Sequence, residues 1–203
     1  MIKKDILHFF ILLLPLICCT SVDNNTSQIN RLVDNKATID LKFENNKLSL
    51  LFYYKQSDID NWEVFNAESE NKPYDYEKFW IFCTDKNKKI VKATYSPNIE
   101  NKTNHFYVTY YFDQKGKTFA IESLNASDST FCTCDHSFKI SIETKLSFYD
   151  DKMIKVHQIN KLTDNNKNDL KSKGCEVRVQ DMNYPKYKNI KQLLSEEKIK
   201  NKN

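Results

Sequence analysis

The feature that most constrains this chain is a two-residue period. From Ser137 to Phe148, the residues Phe138, Ile140, Ile142, Leu146 and Phe148 alternate with Ser137, Lys139, Ser141, Glu143, Lys145 and Ser147. Successive side chains of an extended backbone point to opposite faces, so this pattern buries one face and wets the other. Ala37, Ile39, Leu41 and Phe43 alternate in the same way with Thr38, Asp40 and Lys42, and so do Cys175, Val177 and Val179 with Glu176, Arg178 and Gln180. Runs from Lys47 to Lys55, Lys78 to Thr84, Ile90 to Tyr95, His105 to Phe112, Thr118 to Leu124 and Met153 to Ile159 are rich in aromatic and β-branched residues and read as further strands. The pattern predicts about nine strands.

The connections predict antiparallel pairing. Asn45-Asn46 suits a tight hairpin with positive φ, Gln114-Lys115-Gly116 offers one left-handed position, and Asp85 to Lys88 and Asp150-Asp151 read as two more hairpin turns. Hairpins in chain order make an all-β antiparallel meander, barrel-like or stacked as a sandwich. With only two glycines in the chain, tight curvature has few places to be relieved. Ser57 to Asn66 fits either a short helix or a strand. After Pro185, the residues Tyr187, Ile190, Leu193 and Leu194 fall on one helical face, which predicts a C-terminal helix over 186–200.

At the other end, Lys3 and Lys4 precede an apolar run from Ile6 to Ile17. About twelve residues is too short to span a bilayer as a helix. A basic start followed by a short apolar segment and small residues is the layout of a secretory signal, here 1–18. Leu16-Ile17-Cys18-Cys19 resembles the lipobox of bacterial lipoproteins, although that pattern prefers Gly, Ala or Ser where Cys18 stands. The resemblance implies a lipid on Cys19 and an extracytoplasmic location at the outer membrane, in the periplasm or on the cell surface. The alternative is ordinary cleavage before Val22, releasing a soluble secreted chain. The polar stretch 19–36 reads as a flexible tether, and residues 37–203 as one domain of ordinary size.

An exported chain with an even set of cysteines in its folded part invites disulfides. Cys83, Cys132, Cys134 and Cys175 form that set. A bond between Cys132 and Cys134 is awkward, because extended residues two apart sit near the upper limit of disulfide Cα separation. Each is therefore expected to pair with Cys83 or Cys175. The rival reading is a metal site, since Cys132, Cys134 and His136 at alternate positions would point two thiolates and an imidazole the same way. Their spacing lacks the usual two-residue gap, and an oxidising compartment favours disulfides.

Other chemistry is sparse. No histidine lies in a nucleophile elbow or a zinc-binding helix, and the glycines at Gly116 and Gly174 are too few for a phosphate-cradling loop. The chain is therefore expected to be non-enzymatic and to need no cofactor. A net charge of +4 with lysines and acids interspersed carries no basic stripe, so no nucleic-acid partner is expected. What stands out is the aromatic surplus: both faces of the 105–112 run carry rings. Tyr53, Trp80, Tyr107 and Tyr111 are the candidates for a ligand or partner face, against the plainer reading that a second layer covers both faces. Sequons at Asn24, Asn25, Asn101 and Asn125 would carry glycans in a secreting eukaryote. The sequence thus predicts an exported, membrane-anchored β domain that binds a small apolar ligand or a protein partner. A secreted glycosylated binding protein and a structural or inhibitory envelope component are the alternatives.

Overall fold

A computed structural model describes residues 5–55, 61–65, 78–97, 104–132, 137–171, 175 and 183–199. Its centre is one antiparallel sheet made of β1 (Ser49–Lys55), β2 (Glu63–Phe65), β3 (Lys78–Thr84), β4 (Ile90–Pro97), β5 (Asn104–Phe112), β6 (Thr118–Cys132), β7 (Ser137–Tyr149) and β8 (Lys155–Thr163). The order across the sheet is β2-β1-β3-β4-β5-β6-β7-β8. This is the expected meander, but among the described residues it is a single open sheet with β2 and β8 as its edges, neither a barrel nor a sandwich. Closure and a second sheet are both unnecessary, because each face is covered by other parts of the chain.

Helix α1 (Asp5–Glu44) overturns two expectations at once, since it contains the stretch read as a tether and the Ala37–Phe43 stretch read as a strand. Leu32, Val33, Lys36, Ile39 and Asp40 recur at helical spacing and meet the sheet. Two of those five are charged, so counting apolar residues alone hides the stripe. Leu41 and Phe43, which gave the alternation its apolar beats, stand 59% and 39% exposed. Among the described residues no helix is long and apolar enough to cross a membrane.

Asn45-Asn46 closes this helix instead of turning a hairpin. Asn46 takes the left-handed conformation at φ 53°. Its N–H donates to the Phe43 carbonyl at 3.0 Å and the Lys47 N–H to the Lys42 carbonyl at 2.8 Å, which is the Schellman pattern. The need for a positive φ was legible in the sequence. The element that it ends was not.

Three hairpins share one construction. Asp85, Asp113 and Asp150 each open a turn in which one carboxylate oxygen accepts two backbone N–H groups, from Asn87 and Lys89, Lys115 and Lys117, and Lys152 and Ile154. The fourth residue of each turn, Lys88, Gly116 or Met153, has positive φ. The register slips immediately beyond the turn, so Val91, Phe119 and Val156 have no cross-strand partner. A bulge of this kind re-aims a side chain. Val91 and Phe119 line the space beneath α1, and Val156 packs in the cluster under that helix.

The far face carries the main core. Cross-strand rows join Tyr53 to Trp80, Tyr95 and Val108, and Phe82 to Ala93, Tyr110 and Ile121. The C-terminal segment covers them. Tyr187 packs on Trp80 and Tyr110, Tyr184 on Phe106, and Leu193 and Ile199 complete the cluster. The Tyr110 hydroxyl donates to the Pro185 carbonyl at 2.7 Å, the Trp62 indole to the Glu197 carbonyl at 2.6 Å, and the Tyr187 hydroxyl to the Glu197 carboxylate. The helix in this segment, α2 (Ile190–Glu196), is shorter than the predicted 186–200 and is capped by the Asn189 side chain. Backbone bonds from Thr118 to Lys188 and from Ile190 to Gly116 seat it on the β5–β6 turn.

Of the remaining expected elements, residues 63–65 form β2. Cys175 makes an isolated bridge to Cys132, while Val177 and Val179 lie outside the described residues.

Candidate functional site

The hairpin turns and α1 enclose the site. A cavity of about 630 Å³ lies between them, within the ~300–1,000 Å³ typical of small-molecule sites. Its apolar floor comes from Leu32 and Ile39 on the helix, Leu48 just after it, and Val91, Phe112 and Phe119 at the strand ends. Its rim is charged with both signs: Arg31 and Lys42 come from α1, Asp85 and Lys89 from the β3–β4 turn, Asp113, Lys115 and Lys117 from the β5–β6 turn, and Asp150, Asp151 and Lys152 from the β7–β8 turn. Thr118 also lines it, and its buried hydroxyl has no hydrogen-bond partner among the described residues.

Beside the cavity, α1 is held to the sheet by a polar latch centred on Tyr111. The Tyr111 hydroxyl lies 3.0 Å from an Asp40 carboxylate oxygen and 2.9 Å from one of Glu122. Lys36 bridges the same two acids at 2.7 and 3.2 Å, and Lys92 reaches Asp40 at 2.8 Å. Both ammonium groups sit over the Tyr111 ring, 4.8 and 5.2 Å from its centre. Burial raises the Asp40 pKa, but the hydrogen bonds and charges of Lys36 and Lys92 outweigh it and hold the carboxyl below its ordinary value. Burial first, then the charges of Glu122 and Asp40, push the Tyr111 phenol far above its usual range. Every charge in the latch is answered from within it, so the arrangement ties helix to sheet.

The residues singled out in the sequence are divided by this geometry. Tyr53 and Trp80 face the C-terminal segment, whereas Tyr107 and Tyr111 face the α1 side, because Tyr107 and Tyr111 are odd-numbered steps along β5 from Val108 and Tyr110. All but Tyr107 are buried. They form no common surface; the plainer reading, that other layers cover both faces, describes what is seen.

Cys132 and Cys175 are joined in a disulfide, one of the expected pairings. Cys83 is a free, buried thiol, and burial pushes its pKa up to about 11. It shares the cross-strand row of Lys92, Tyr111 and Ala120, twelve residues along β6 from Cys132. At about 3.3 Å per residue that separation, roughly 40 Å, keeps Cys83 away from the Cys132 region, so a second bond from Cys83 is not made. Cys134 and His136 lie outside the described residues. With Cys132 oxidised, the metal reading loses one of its two thiolates, and the described residues hold no metal-binding cluster. Asn25 is exposed on α1, whereas Asn125 lies within β6, paired on both sides; Asn101 is outside the described residues. Cys19 falls within α1.

The cavity residues went unread in the sequence because 19–36 looked like a tether. Two signals could have found them: the Leu32-Lys36-Ile39-Asp40 spacing, and the repeated aspartate-led turn. In comparisons with protein-family models, curated proteins and solved structures, nothing matches this chain.

Proposed function

We propose that the chain is an exported, lipid-anchored, non-enzymatic binding domain that holds a small, largely apolar ligand between α1 and the turn end of the sheet. The cavity carries this reading: its floor is apolar, its volume suits a small molecule, and three bulged hairpins shape one wall. Cleavage before Cys19 would leave all of its residues on the mature chain. A lipid there would tether the protein at the start of the helix that roofs the site, and the Cys132–Cys175 bond suits an oxidising compartment.

The test joins an address to a binding measurement. Mass mapping of the mature protein from its native host should find acylated Cys19 at the N-terminus, and a chain starting at Val22 would move it to the secreted class. The uncharged fluorophore N-phenyl-1-naphthylamine should bind, and Asn35→Trp, which fills the cavity from α1, should abolish that binding. Binding unaffected by the substitution, or none at all, would remove the ligand reading. A protein partner is the second reading, favoured by one edge of the sheet where Leu50, Leu51 and Val64 are exposed on β1 and β2.

A further inference from the structure

The rim of the cavity says more about its occupant than the floor does. Lys117 is paired with Asp151 at 3.4 Å, and Asp85, Asp113 and Asp150 are engaged by backbone N–H groups in their own turns. Arg31, Lys42, Lys115 and Lys152 have no carboxylate partner among the described residues, yet they arrive at one mouth from three separate elements. The six cations lining the cavity, Lys89 and Lys117 included, outnumber its four carboxylates, and an apolar floor below a net positive mouth is complementary to a molecule with a hydrocarbon body and a negative head.

Resting on the cavity reading above, we infer that the ligand is a single-chain amphipathic anion, with a carboxylate or phosphate head at the Arg31, Lys42, Lys115 and Lys152 rim and an apolar tail against Leu32 and Phe119. The rim cations are exposed, so they act by steering and head-group pairing and are screened by salt. The apolar floor supplies the affinity that all amphiphiles share.

Binding of dodecanoate, dodecyl phosphate, dodecanol and dodecyltrimethylammonium to the mature protein, displayed on phosphatidylcholine vesicles if acylated, separates these contributions. Protein carrying Asn35→Trp, or Thr38→Trp should the first fail to fold, serves as the blank. Both anions should bind on the order of tenfold tighter than the cation at low salt, with the alcohol between. The preference should shrink several-fold in Arg31→Gln/Lys152→Gln and in about 0.5 M salt. Preference for one anion over the other identifies the head group. Equal, blank-sensitive binding of anion and cation would overturn this inference and leave the cavity reading standing. Binding that the blank retains, or no binding, would overturn both.

Discussion

Tyr111 shows how much one side chain can decide. Its ring lies between two lysines and its hydroxyl between two carboxylates, so removing either acid strands charges that burial has already partly desolvated. Asp40→Ala should destabilise the protein by about 2 kcal/mol, read by denaturant titration. The pH dependence has a definite sign. Because the folded chain holds Asp40 below its ordinary value of 3.8, its ionised form is favoured by folding; that stabilisation is complete above pH 3.8 and is lost as pH falls through the folded-state value. Melting temperatures followed from pH 7 down to pH 3 should therefore fall less steeply in Asp40→Asn than in the native chain. Equal slopes would show that the latch contributes nothing to acid sensitivity.

At the scale of elements, the aspartate-led turn is the repeated device. It occurs a fourth time after β8, where Asp164 accepts from Asn166 and Asn168 and Lys167 takes φ 64°. Only one of the four left-handed positions is glycine, and there the choice has a second reason. A Cβ on Gly116 would come within 3.0 Å of Ile190 Cγ2, at φ +76°. Gly116→Ala should thus cost about 2 kcal/mol or more by adding left-handed strain and pressing on α2, whereas Lys88→Gly should raise stability by roughly 1 kcal/mol. Thermal melts of the two variants should move in opposite directions.

Across the whole molecule, the sheet is tied down at two ends by different means. The α1 latch and the C-terminal segment cover the centre and the turn end, while Cys132–Cys175 joins the far end to a segment 43 residues on, beside Leu162 and Leu170. Loop closure over that span should contribute about 3 to 4 kcal/mol. Cys132→Ser/Cys175→Ser should lower stability by this amount in urea titrations while leaving N-phenyl-1-naphthylamine binding intact, because the cavity lies at the opposite end. Loss of that binding in a folded double variant would show that the two ends are coupled.

Strand positions were legible in the sequence because alternation and aromatic or β-branched content act locally: β3 begins and ends as read, and β1, β4, β5, β7 and β8 lie within a few residues of the reading. The turns at Asp85, Gly116 and Asp150 were legible for the same reason, since a left-handed residue and a side-chain acceptor are properties of a few consecutive positions. What the sequence by itself could not decide were the partners. Residues 32–43 carry both a short alternation and a helical stripe, and the stripe prevails because Lys36 and Asp40 find Glu122, Lys92 and Tyr111 on distant strands. Those contacts exist only after the meander has formed, and so does the cavity beneath the helix. Local periodicity determines which residues are extended; long-range burial and charge pairing decide what covers the sheet, and therefore where a ligand can sit.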